Sequence, residues 1–279
     1  MSEISAADVG KLRAMTNAGL MDCKKALTEA QGDFNTAVDL LRKKGVATAG
    51  GKAGREAREG AIVRYVQPDD RLGVLVEVNC ETDFVARNET FRAFCDDVAK
   101  RLAANPTADL EADRVAAVAK IGENIKISRH HRLEVTGNGL VAAYIHTGAK
   151  VGVLVEVGAG KEATVATDSF RELVRDITLQ IAAASPSVVS RDQVPAAILE
   201  KEREIAAEQV KNKPPQAIAK IVEGKLEKFY QTSCLLDQGF VKRNSEVSVK
   251  EHVASVAKQL GDEIELRRFV RFQVGEAHS

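Results

Sequence analysis

The chain has 279 residues, 44% of them hydrophobic and only 4% aromatic, which is enough to bury a core and fits about two domains. Lys+Arg and Asp+Glu each number 40, so the formal charge is zero. A protein that grips phosphate backbones shows a basic field, so direct nucleic-acid binding is not expected. No apolar run is long enough to cross a membrane. Met1-Ser2-Glu3-Ile4-Ser5 lacks the cationic start and apolar stretch of a signal peptide, so a cytoplasmic setting is the expectation. Cys23, Cys80, Cys95 and Cys234 are scattered without a Cys-x-x-Cys, and read as reduced, mostly buried thiols rather than a disulfide or zinc framework.

Residues 1–45 read as three short helices. Ser5 caps the first, with Val9 and Leu12 inward, and Asn17-Ala18-Gly19 turns the chain. Leu20, Cys23 and Leu27 line the second helix, and Gly32-Asp33 makes the next turn. Phe34, Ala37, Val38 and Leu41 share one face of the third. Arg42-Lys43-Lys44 followed by Gly45 reads as its C-terminal stop. Residues 46–59, with Gly50-Gly51, read as a linker.

A duplication follows. Gly73-Val74-Leu75-Val76-Glu77-Val78 recurs 79 residues later as Gly152-Val153-Leu154-Val155-Glu156-Val157. Gly60 and Tyr65 map to Gly139 and Tyr144, and Phe91-Arg92 to Phe170-Arg171, at the same offset. Each copy predicts two strands and an amphipathic helix, its apolar face Phe91, Phe94, Cys95, Val98 and Leu102 in the first and Phe170, Leu173, Val174, Ile177 and Ile181 in the second. The pattern predicts an α+β fold with a duplicated layered core: residues 60–138 as the first repeat, 139–190 and 230–279 as the second. Further strands are read from the alternation of Ile125, Ile127, Leu133 and Val135, and of Leu266, Val270, Phe272 and Val274. Residues 191–229 interrupt the second repeat. Val194, Ile198 and Ile205 form a thin stripe, Asn212-Lys213-Pro214-Pro215 breaks the helix, and Ile218, Ile221, Val222, Leu226 and Phe229 form a second stripe. Two helices joined by a Pro turn predict a hairpin reaching roughly 27 Å, which either packs on its own body or meets another copy.

No motif for covalent chemistry is present. His130 and His131 are adjacent on a predicted strand, so they face opposite ways and do not chelate one metal. Cys80 could serve as a nucleophile near His146, but reads better as a buried thiol on a strand. There is no phosphate-binding Gly-rich loop, no Gly-x-Ser-x-Gly and no His-Glu-x-x-His. The informative feature is the segment in which the copies differ: Glu81-Thr82-Asp83-Phe84 against Gly160-Lys161-Glu162-Ala163. Since the second copy builds its scaffold with Ala163, the fold does not require Phe84. A Phe on a polar loop tip is an anchor for a partner's pocket. Leu20-Met21 places two large apolar residues at a helix start, one able to face in and the other out.

These residues resemble the elongation factor Ts family. Leu12-Arg13-Ala14-Met15-Thr16-Asn17-Ala18-Gly19-Leu20-Met21-Asp22-Cys23-Lys24-Lys25-Ala26-Leu27 is similar to the family's first signature, and Asn79-Cys80-Glu81-Thr82-Asp83-Phe84-Val85-Ala86-Arg87-Asn88 to its second. His146 before Gly148, the Pro-broken hairpin and the closing Phe269-Val270-Arg271-Phe272-Gln273-Val274-Gly275-Glu276 match as well. The departures are Asn17, where the family usually has Gly, and Leu20, where Met is common; some members also continue beyond the last strand with a helix that holds the partner. The resemblance implies a ubiquitin-associated-like N-terminal domain, a two-part core and a dimerisation hairpin at 191–229. It implies a guanine-nucleotide exchange factor for elongation factor Tu, without catalytic residues, metal ligands or a cofactor of its own. Thr82, Asp83, Phe84 and Val85 would disturb the partner's magnesium site. Arg13, Leu20 and Met21 would press near its phosphate loop, and His146 would contact another of its domains. The other reading is a non-exchanging adaptor or chaperone-like binding protein.

Overall fold

The structure is a computed structural model describing residues 4–16 and 18–276; Asn17, a point of departure from the family signature, lies outside the described residues. The chain opens with α1 (Ala6–Thr16), α2 (Leu20–Glu29) and α3 (Phe34–Lys52). The Asp8 amide donates to Ser5 Oγ at 3.1 Å, the expected cap. Val9, Leu12, Cys23, Ala26, Leu27 and Ala37 are buried together, with Phe34, Val38 and Leu41 packed against them.

Two expectations fail here. The helix does not stop at Gly45: α3 runs through Gly50-Gly51 to Lys52, so the front half of the expected 46–59 linker is helical and its last residue, Glu59, opens a strand. Packing overrides propensity. Gly45 is buried against Val115 and Ala119, and Ala49 is buried too. Leu20 does not line the interior of α2; it lies in the outward-facing first turn, while Cys23 and Leu27 fill the core.

The next elements are β1 (Glu59–Val66), β2 (Leu72–Cys80), α4 (Asp83–Arg87), α5 (Glu89–Ala104), α6 (Glu111–Ile121) and β3 (Lys126–Glu134). Then come β4 (Gly139–Ile145), β5 (Val151–Ala159), α7 (Glu162–Val165), α8 (Asp168–Ala184), α9 (Ala196–Glu208), α10 (Pro215–Ser233), α11 (Val249–Leu260) and β6 (Ile264–Gln273). The strands form two three-stranded sheets in the orders β1-β2-β3 and β4-β5-β6; β4 and β5 are antiparallel, with Gly139 opposite Gly158 and Ile145 opposite Gly152. The fold is α+β. α3 packs on α6, and α9 on α10. The hairpin's helices cover Ala196–Glu208 and Pro215–Ser233, displaced from the expected 191–229, and Pro214 caps and Pro215 opens the second of them.

The 79-residue offset holds element by element: β2 falls on β5, α4 on α7 and α5 on α8. Phe91 and Phe170 are both fully buried at the start of their helices. Gly60 and Gly139 both have positive φ, 147° and 155°, and a Cβ at either would strike the carbonyl of Val78 or Val157. That close approach explains why both copies keep glycine.

A second correspondence continues where the first stops. α6, Gly122 and β3 match α11, Gly261 and β6 at an offset of 139; Gly122 and Gly261 both close their helices in the left-handed conformation. The lengthened spacing is the insertion that carries α9 and α10. Matched buried carboxylates show the same pairing: Glu77 on β2 accepts from Arg129 Nε at 2.7 Å, and Glu156 on β5 accepts from Arg268 Nε at 2.6 Å. Each carboxylate is 1% exposed.

By compactness the chain divides into two units, which cut across the expected repeat boundaries. One holds the chain up to Val63, Val76–His130 and the stretch from Gln273 on; the other holds Arg64–Leu75 and His131–Phe272.

Candidate functional site

The segment expected as a loop tip is a five-residue helix, α4, capped by Thr82, whose Oγ1 accepts from the Val85 amide at 3.3 Å. So short a helix has no stability of its own. Its entry is held from elsewhere. Glu123 Oε2 accepts from the amides of Glu81 and Thr82 at 2.9 and 3.0 Å, and its Oε1 accepts from Thr82 Oγ1 at 2.6 Å. In return Glu81 Oε1 accepts from the Asn124 amide at 2.6 Å. The exit is held by Arg92 Nε, which donates to the Ala86 carbonyl at 2.6 Å. Ala86 is buried, whereas Phe84 is 82% exposed. Asp83 and Val85 are half-buried beside it, and Asp83 pairs with Arg87 at 3.0 Å on the exposed side. Such a pair contributes little stability, and its carboxylate is available to a partner. Cys80 is a buried thiol donating to the Thr82 carbonyl.

The second copy shows the same mount with another tip. Asp262 Oδ2 accepts from the Lys161 amide at 2.9 Å and from Thr164 Oγ1 at 2.6 Å at the start of α7. Ala163, the counterpart of Phe84, is exposed as well. The scaffold presents this position outward in both copies, and only the first places a large apolar ring there.

At the α1–α2 turn both Leu20 and Met21 face outward, correcting the expectation that one would turn in. They are 51% and 61% exposed, and Met15 at the end of α1 is 60% exposed. Gly19 caps α2, so the first turn of the helix carries these side chains before the buried Cys23–Leu27 face begins. Arg13 is exposed. Three large apolar side chains and a cation are thus exposed on the residues that flank this turn.

His146 follows β4 and is exposed, its Nδ1 2.9 Å from Tyr144 Oη. The chain turns sharply there, the Ala149 amide donating to the His146 carbonyl at 2.8 Å and Gly148 taking φ +85°. Beside it a cavity of about 400 Å³ is lined by Tyr144, His146, Leu179, Ala183, Phe240 and Val241. The apolar part of this groove, with Leu179 and Val241 themselves exposed, was not legible from the His alone.

Comparison with known proteins adds to this geometry. The family model described as "Elongation factor TS" matches residues 81–276. The chain belongs to the elongation factor Ts family. Within that family, a protein named elongation factor Ts from Symbiobacterium thermophilum is 47% identical over 285 residues, covering 99% of this chain and 93% of the relative. Counterparts from Nautilia profundicola and Nostoc sp. are 43% and 42% identical, each covering 99% of this chain and 94% of the relative. Membership places the chain among the translation elongation factors. Among the described residues no helix is long and apolar enough to cross a membrane, and no group of three His, Cys, Asp or Glu is arranged to hold a metal ion.

Glu123 is the member of the site that sequence reasoning missed. Its signal was present: Gly122-Glu123 ends a helix as Gly261-Asp262 does, but at an offset of 139 rather than 79.

Proposed function

We propose that the protein is a guanine-nucleotide exchange factor that binds elongation factor Tu in its GDP form and promotes release of GDP by disturbing the partner's magnesium and phosphate site. The observation that carries this reading is Phe84, an exposed ring on a braced mount whose twin presents Ala163. Thr82, Asp83, Phe84 and Val85 enter beside the partner's nucleotide site. Arg13, Leu20 and Met21 press on the same nucleotide domain, and His146 with its apolar groove meets another domain. No covalent step and no cofactor of this chain is involved. Exchange is a coupling of two bindings, so it is reciprocal: whatever factor by which this protein weakens GDP, GDP weakens this protein. GTP can then displace it.

The exposed Ile198 and Ile205 on α9 support a contact with a second copy through the hairpin. The expected site of action is the cytoplasm, where translation occurs.

The test is release of a fluorescent GDP analogue from elongation factor Tu in excess GDP. Acceleration at substoichiometric amounts supports exchange. Binding without acceleration supports a non-exchanging adaptor, and absence of binding removes this partner.

A further inference from the structure

The direction of Phe84 is set by a residue 42 positions beyond its helix entry. A five-residue helix does not hold its own shape, and Phe84 lies almost wholly in solvent, so its own contacts do not orient it. What fixes the helix start is the Glu123 carboxylate. All three of its hydrogen bonds go to Glu81 and Thr82, the cap of α4 and the residue before it. Glu123 is itself located by the left-handed Gly122 that ends α6 and by Asn124, whose amide donates to Glu81 and whose Nδ2 donates to the Arg55 carbonyl at 2.8 Å. The brace is closed on both sides.

We infer that Glu123 is a positioning residue for exchange: it aims Phe84 without touching the partner's nucleotide site. The inference rests on the exchange function proposed above. It requires an acceptor at the site of the carboxylate, not a charge. In Glu123→Gln the amide oxygen accepts from the two backbone N–H groups and the amide nitrogen donates to Thr82 Oγ1, so the brace survives. In Glu123→Ala the two amides lose their partner, and from residues 122–124 the entry of α4 keeps only the Asn124–Glu81 bond, so the helix can pivot about the exit that Arg92 holds. Misplacement by about 1 Å of a group that acts through position costs about 100-fold in rate.

The experiment measures GDP release from elongation factor Tu across a range of concentrations of the full chain, for the parent, Glu123→Ala, Glu123→Gln, Phe84→Ala and the Glu123→Ala/Phe84→Ala double variant. The expected result is a maximal release rate lowered about 10- to 100-fold in Glu123→Ala and near the parent's in Glu123→Gln. In the double variant the loss is expected to be well below the product of the two single losses, because the ring, the largest group the brace aims, is already gone. Multiplying losses in the double variant would overturn the inference, as would a Glu123→Gln variant as slow as Glu123→Ala. If Glu123→Ala does not fold, Glu123→Met, which keeps the length of the side chain without its acceptor oxygens, takes its place in the same cycle. A parent chain that binds but does not accelerate release overturns the exchange function itself, whereas an active parent with additive losses overturns only the role of Glu123.

Discussion

Truncating Phe84 to Ala separates function from folding, and the structure sets the size of both effects. At 82% exposure the ring stabilises the free protein little, so Phe84→Ala should leave unfolding free energy within about 0.5 kcal/mol of the parent. On the proposed reading the ring enters an apolar site of the partner, and burying a Phe side chain is worth about 1.5–3 kcal/mol. At about 1.36 kcal/mol per factor of ten, the variant should lose roughly 10- to 150-fold of its acceleration of GDP release. An acceleration of 10³-fold needs about 4 kcal/mol, more than one ring supplies, so a residual acceleration should remain from Asp83 and the other contact surfaces. The assay is the fluorescent-GDP release measurement, paired with thermal unfolding of the same preparation. An unchanged release rate would refute the assigned role. Loss of activity together with a lowered melting temperature would mean that the ring supports the fold.

The exposed side chains at the α1–α2 turn make a parallel case: replacing Leu20 and Met21 with Ser should slow exchange while changing stability by about 0.5 kcal/mol or less per site. Leu27→Ala, fully buried on the other face of the same helix, should cost about 2–5 kcal/mol in denaturant unfolding. Arg129→Met should destabilise by about 3–5 kcal/mol, because it leaves the buried Glu77 carboxylate without its cation; a cost below 1 kcal/mol would show that Asn79 Nδ2 and the Gly275 amide satisfy it. Acid should act partly through Glu156. Burial pushes its carboxyl up, but hydrogen bonds from Arg268, Arg267 and the Thr136 amide outweigh this and hold it below its ordinary 4.5. A carboxyl depressed in the folded state contributes stability above that ordinary value and loses the contribution as pH falls through the folded one. The melting temperature should therefore fall more steeply below about pH 4.5 in the parent than in Glu156→Gln, as read from thermal melts across the acid range.

Much of this molecule is legible where the sequence repeats itself in register. The offset of 79 locates β1, β2 and α5 and their twins because each pair carries the same buried face, and the burial of Phe91 and Phe170 follows from that pattern. The remaining third of each repeat is hidden by the α9–α10 insertion, which moves the match to an offset of 139. α6 and α11 therefore have no visible counterpart at the first spacing, and with them Glu123 and Asp262 are missed. The extension of α3 is illegible for another reason. Gly45, Gly50 and Gly51 are poor helix residues, and the stabilising contact with α6 is made by residues about 70 positions away. Leu20 departs from the pattern because a helix start leaves its first turn free of the core, while the periodicity counts it with Cys23 and Leu27.

The duplicate also supplies a comparison within one chain. α4 and α7 share a position in their repeats, an acidic brace after a left-handed glycine, and an outward-facing second residue. Solvent, temperature and folding history are common to both, so differences between the tips reflect what each tip must do. The second copy caps its helix without a side-chain bond and presents Ala163; the first adds the Thr82 cap, three bonds from one carboxylate and a ring in water. Exposing a Phe gains nothing for folding and invites association. Both mounts are tied by several hydrogen bonds to the residues around their left-handed glycine, so the ring rather than the scaffold distinguishes the first, and a tip held in place before contact has less ordering left to lose on meeting a partner.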